Sequence, residues 1–327
     1  MNKAVLRRAV RLGFLLVALG FGVWAVAGQW AAVAGGLGRL SWGLLAGSLV
    51  AALAALGAGM LMWRALLADL GSPLPVVDAA KVFFVGQLGK YIPGSLWPVL
   101  AQMEMGRDLG VPRSRSAAAF FLTYPVYLAT GLLVAAATLP VFAGDSVARY
   151  AWLAALLPLL IAGLHPRVVN AVLGLGLRLI RRPPLERPLS RRGVLASAGW
   201  ALAGWLAYGV HLALLVRGLG ADGPAAAVLS LGAFALAWCL GFLVVIAPAG
   251  AGVREVAMIA ALAPVLDQGE AIAAALVSRL IVSIGDLICA GLAGIAAKAT
   301  IRQNESGGTG RLGDASRTSR DFTRDSG

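Results

Sequence analysis

Apolar residues in this chain come in long uninterrupted runs, and the polar residues are gathered between them. The runs at about 12–34, 41–63, 117–139, 194–216, 225–247 and 272–297 each approach or exceed the roughly 20 residues that carry a helix across a bilayer core. A shorter run at 150–164 predicts one more, tilted element. The stretch 168–182 is apolar but short, with Arg178, Arg181 and Arg182 near its end, which suits a helix lying in the membrane interface. Pro183, Pro184 and Pro188 then stop it. The first run is too long for a signal-peptide core, which spans about 7–15 residues, and is expected to be retained.

Two apolar stretches are interrupted in the same way. One reads Gly86-Gln87-Leu88-Gly89-Lys90-Tyr91-Ile92-Pro93-Gly94-Ser95, inside a segment at about 79–101. The other runs from Gly241 through Ile246-Ala247-Pro248-Ala249-Gly250-Ala251-Gly252-Val253-Arg254-Glu255. In each, a Gly is followed seven residues later by Pro and then a small residue. Glycine and proline free backbone groups that lipid cannot satisfy, so such breaks belong where protein or a water-filled cavity surrounds them. Paired breaks at corresponding places in two halves point to a transporter's binding site.

Pro93 and Pro248 are 155 positions apart, and the same offset lays 41–63 on 196–218 and 117–139 on 272–294. The matched runs would cross the membrane in opposite senses, so the pattern predicts an inverted-topology repeat. The expected fold is an all-α polytopic membrane protein of about eight membrane elements, including two broken or re-entrant helix hairpins. A membrane domain would occupy 1–298, with halves at about 36–145 and 190–298, followed by a disordered, polar cytoplasmic tail at 299–327.

Composition agrees: 59% of residues are hydrophobic, and only 13% are charged. The net charge of +13 would suggest nucleic acid, but its distribution does not. Of 28 Lys and Arg, 22 lie in 1–11, in the stretch from Arg64 to Lys81, in 107–115, 165–193 and 298–327, whereas the alternate loops hold Arg39, Arg149 and Arg217. This asymmetry predicts that both termini lie on the cytoplasmic side of the membrane. The two cysteines, Cys239 and Cys289, fall in apolar segments and are expected to be free thiols that pack as small hydrophobes.

Charges inside membrane segments are costly and mark function or a pairing partner. Lys90 lies in the first break, Arg254 and Glu255 follow the second, and Arg279 and Asp286 stand seven residues apart in the last run, hence on one helix face. Lys90 beside a half-helix N-terminus would favour phosphate, and Arg254 could bind a headgroup phosphate bidentately while Glu255 balances it. The alternative is purely structural: Arg254, Glu255, Arg279 and Asp286 pair only with each other and hold the bundle together. His211 is expected as a hydrogen-bonded packing residue, with a proton relay as the alternative.

No His/Cys/carboxylate cluster has metal-ligand spacing, and no nucleotide fingerprint occurs in a strand–turn–helix context. No cofactor is expected, and no nucleic-acid partner.

The segments Gly89-Lys90-Tyr91-Ile92-Pro93-Gly94 with Trp97, and Pro248 to Glu255, resemble the signatures of the lysylphosphatidylglycerol synthase transmembrane region, a flippase-like family. The similarity covers roughly 10–298. It implies a bacterial inner-membrane protein related to the lipid-flipping half of a two-part aminoacyl-phosphatidylglycerol synthase. It assigns Lys90, Pro93 and Gly94 to the first motif, Pro248, Gly250, Gly252, Arg254 and Glu255 to the second, and Arg279 with Gly285 to a later pattern. Ala249 stands where a second glycine is common, and Thr123-Tyr124 where many relatives carry Glu-Arg. No aminoacyl-transferase domain is expected in this chain, and synthase activity is not expected. The resemblance implies movement of a phosphate-bearing lipid, either an aminoacyl phospholipid or a polyprenyl-linked glycolipid, between leaflets. The proposed path is Lys90, Pro93, Gly94, Pro248, Gly250, Gly252, Arg254, Glu255, Arg279 and Asp286. The alternative function is a non-transporting membrane partner that anchors a glycosyltransferase or lipid-synthesis enzyme.

Overall fold

A computed structural model describes residues 30–91, 97–143, 156–179, 187–243 and 252–321. The described residues form helices and no strands. In chain order these are α1 (Trp30–Arg39), α2 (Trp42–Asp69), α3 (Val76–Ala80), α4 (Trp97–Arg107), α5 (Arg113–Ala143), α6 (Leu156–Gly163), α7 (Pro166–Leu179), α8 (Arg191–Gly218), α9 (Pro224–Leu243), α10 (Val253–Leu262) and α11 (Gln268–Asp321). The helix expected at 12–34 lies outside the described residues except for its end, in α1. Of the segment 299–327, read from sequence as an unstructured tail, residues 299–321 continue α11.

Five of these helices are long and apolar enough to cross a membrane: α2, α5 through Thr138, α8, α9, and α11 from Gln268 to Ala297. The chain is a multi-pass membrane protein. Its outward faces carry Trp42, Val50, Leu206 and Ile295, all well exposed, as lipid-facing surfaces require. Lipid supplies little hydrophobic drive for helices to associate, so close packing and interhelical polar bonds hold the bundle.

Helix directions can be read from contacts at the two ends. The hydroxyl of Ser41 caps α2 by accepting from the Leu44 N–H at 3.3 Å, and that of Ser190 caps α8 from the Gly193 N–H at 3.0 Å. Asp69, last residue of α2, accepts from both the backbone N–H and the hydroxyl of Ser190, each at 2.6 Å. At the far end a Cβ on Gly218 would come within 2.7 Å of Leu40, so glycine there lets α8 finish against the start of α2. These two helices are antiparallel. Arg115, near the start of α5, donates to the Gly71 carbonyl at 2.9 Å just past the end of α2. Glu270, at the start of α11, pairs with Arg39 at 2.6 Å beside the start of α2. Hence α5 and α11 are antiparallel too.

The series α2, broken α3, α4, α5 therefore recurs as α8, α9, α10, α11 with every long helix reversed. The starts of α5 and α11, Arg113 and Gln268, are 155 positions apart. Those of α4 and α10, Trp97 and Val253, are 156 apart. The two hairpins enter from opposite ends. The first, with Phe83 and Phe84, packs in a buried cluster with Leu66, Leu70 and Leu189 at the end that carries Arg107, Arg113 and Arg191. The second, with Met258 and Leu262, packs with Leu212, Leu219 and Ala271 at the other end. The charged side chains of the spans lie between these clusters.

Candidate functional site

After α3 the first hairpin loses its regular helix. Lys81–Val85 is wound as a π-helix and Leu88–Tyr91 as a 3₁₀ turn. Both take backbone groups out of the ordinary i→i+4 ladder, a feature common at functional sites. Lys90 sits at the end of that turn. It does not stand at a helix N-terminus, as the sequence reading had it, but closes the descending leg of the hairpin. Its ammonium Nζ lies 2.6 Å from Oδ2 of Asp286 on α11, whose side chain is only 4% exposed.

The second hairpin restarts at Gly252, which has φ +86°. A side chain is disfavoured in that left-handed region, so glycine is required where the chain turns into α10. Glu255 fastens the turn: its Oε2 accepts the Gly252 N–H at 2.6 Å, neutralising an orphan donor at the positive end of the helix. Its other oxygen, Oε1, accepts from Arg279 Nη1 at 2.8 Å.

One helix thus holds both hairpins. Arg279 takes the tip of the second and Asp286 that of the first. Seven residues separate them, which is two turns of one face, or about 10 Å along the axis. They flank the centre of the membrane-length part of α11, Gln268–Ala297. At the position 155 residues before Arg279 stands Tyr124, stacked on Phe242 with ring centroids 4.8 Å apart. No second charged helix mirrors α11 there.

Arg254 behaves differently from its neighbours. Among the described residues it has no ion-pair or hydrogen-bond partner. Its guanidinium instead lies over the Phe234 ring, 4.8 Å from the centroid, in cation–π contact. Phe234 is in turn stacked on Tyr208 at 4.3 Å. Arg254, Glu255, Met258, Ala275, Ser278 and Arg279 line a small, partly open cleft of about 10 Å³, room for about one water molecule.

Behind Ser278 lies a buried polar chain. His211, fully buried, places Nε2 2.9 Å from Ser278 Oγ and Nδ1 2.7 Å from Ser48 Oγ. It links α2, α8 and α11. The sequence singled out His211 but neither serine, because serines are common in membrane helices and nothing local marks these two. Phe234 was equally invisible as one apolar residue in an apolar run.

Pro93, Gly94, Pro248 and Gly250 lie outside the described residues. Lys90, Gly252, Arg254, Glu255, Arg279 and Asp286 all come to the middle layer. Cys239 and Cys289 are free thiols. No group of three or more His, Cys, Asp or Glu among the described residues could hold a metal ion.

No curated protein matches the chain at a significant level. The profile of the family described as the lysylphosphatidylglycerol synthase TM region matches residues 10–289. That match takes in both broken hairpins, the cleft and the charged face of α11, and the chain belongs to this family.

Proposed function

We propose that the protein moves a phosphate-bearing lipid between the leaflets of a bacterial inner membrane, headgroup through the charged layer and tails in the bilayer. The observation that carries this reading is Arg254, a cation without an anionic partner among the described residues, at the wall of a cleft in mid-membrane. The layer holds Lys90, Arg254 and Arg279 against Glu255 and Asp286, a net charge of +1. Segments 92–96 and 244–251 add no charged residue to it. A cation that makes no ion pair at that depth is costly, and an arriving phosphate would balance it with charge-assisted hydrogen bonds.

In this reading Lys90–Asp286 and Arg279–Glu255 hold the hairpin tips, and Arg254 meets the headgroup. The basic end would face the cytoplasm, following the asymmetry of Lys and Arg. The protein would work as a carrier, without synthase activity. Either an aminoacyl phospholipid or a polyprenyl-linked glycolipid has the required phosphate, and a glycosyltransferase or lipid-synthesis enzyme would be the natural partner to supply it.

The test is leaflet exchange of labelled lipids in vesicles containing the purified protein. Lipids with a phosphate headgroup should exchange, and an uncharged galactosyl diacylglycerol should not. Equal exchange of both would remove the basis for a phosphate site.

A further inference from the structure

One arrangement of hydrogens satisfies all four short contacts of the Ser48–His211–Ser278 chain with a neutral imidazole, and it determines what Ser278 offers the cleft. Two of its acceptors are backbone carbonyls, which cannot donate. Ser48 Oγ lies 3.0 Å from the His211 carbonyl, so its hydroxyl donates there. Having spent its one hydrogen, Ser48 Oγ can only accept from His211 Nδ1 at 2.7 Å. The Ser48 carbonyl, 3.1 Å from the same nitrogen, also requires an N–H. The proton therefore sits on Nδ1, and Nε2 presents a lone pair. Ser278 Oγ, 2.9 Å away, must donate to it.

With its hydrogen committed to His211, Ser278 can act toward the cleft only as an acceptor. We infer that Ser278 is a specificity-determining residue, set by the His211 tautomer to accept a hydrogen bond from the ligand. The ligand class that fits is an anionic headgroup with its own hydroxyl or ammonium donor: the anion goes to Arg254, the donor to Ser278. A headgroup lacking a donor would leave the Ser278 lone pairs desolvated and unpaired, which is the costly case for a buried polar group. This inference rests on the reading of the cleft as a headgroup site.

The chain has two histidines, so His165→Asn leaves His211 as the only imidazole in a ¹⁵N-histidine spectrum. The expected spectrum shows Nδ1 protonated and Nε2 unprotonated; the opposite tautomer would overturn the inference. Binding is then compared for short-chain phosphatidylglycerol, which carries hydroxyl donors, and short-chain phosphatidylmethanol, which carries none. The expected preference for phosphatidylglycerol is about tenfold, abolished in Ser278→Ala and kept in Ser278→Thr, with Arg254→Gln weakening both lipids. A preference that survives Ser278→Ala, or Arg254-dependent binding with no preference, would overturn the role of Ser278 and leave the phosphate site intact. Failure of Arg254→Gln to weaken either lipid would overturn the headgroup site and this inference together.

Discussion

Lys90 and Asp286 are separated by most of the chain and meet at 2.6 Å in the middle of the bundle. The contact makes the first hairpin dependent on a helix that belongs to the second half of the repeat. Arg279, two turns away on the same helix, does the same for the second hairpin through Glu255. A shift of α11 along its axis would act on both tips together. In an inverted repeat this is a route for coupling the two sides of the membrane.

Removing one member of the Lys90–Asp286 pair leaves the other without its partner. Breaking a buried ion pair costs about 3–5 kcal/mol, and the half-exposed position of Lys90 should reduce that. Lys90→Ala should therefore lower the midpoint of thermal unfolding in detergent, and Lys90→Ala with Asp286→Ala should recover much of the loss. A double variant less stable than the worse single one would mean that the pair is not the unit.

Glu255 has two separable jobs, because each of its oxygens has its own partner. Glu255→Gln keeps a carbonyl oxygen for the Gly252 N–H and gives up the ion pair with Arg279. Glu255→Ala loses both. The alanine variant should be the less stable by about 1 kcal/mol, the usual worth of a helix cap, in the same unfolding assay. Equal stability would assign the residue to the ion pair alone.

His211 ties three long helices together, and no apolar residue can satisfy Ser48 and Ser278 at once. His211→Phe should cost about 1–3 kcal/mol, because the buried Ser278 hydroxyl loses its acceptor and the packing changes, while the Ser48 hydroxyl keeps the backbone carbonyl of residue 211. Ser48→Ala should cost about 1 kcal/mol, near the net worth of the hydrogen bonds it removes. His211→Phe unfolding like the parent protein would refute this bridge.

The proposed orientation is checked with single cysteines. In a Cys239→Ser, Cys289→Ser background, Arg107→Cys should react with a membrane-impermeant thiol reagent only from the cytoplasmic side. Asp222→Cys should react only from the opposite side. The reverse pattern would invert the topology.

Much of this architecture could be read from sequence, for identifiable reasons. Long apolar runs and the asymmetry of Lys and Arg are one-dimensional signals, and the breaks at Gly86–Pro93 and Gly241–Pro248 announce themselves by composition. The shared face of Arg279 and Asp286 follows from helical periodicity alone. Their partners do not. Arg279 could have met Asp286's neighbours, Glu255 or a ligand, and only the approach of the two hairpins to α11 decides. From sequence alone, Pro93 suggests two half-helices meeting near Tyr91 to Gly94, with a helix N-terminus beside Lys90. The 3₁₀ turn it terminates has no sequence signature strong enough to correct that. Ser48 and Ser278 matter only through His211, a relationship across 163 and 67 residues that no local pattern carries.

The most direct test is leaflet exchange of a labelled phosphate-headgroup lipid by the parent protein and by Arg254→Gln, each reconstituted at equal density. The substitution removes a charge that forms no ion pair among the described residues, so thermal stability should be nearly unchanged. The account predicts at least a tenfold slower exchange for the variant, the scale on which losing one charge-assisted contact is felt. Exchange at the parent rate by folded Arg254→Gln protein would contradict it.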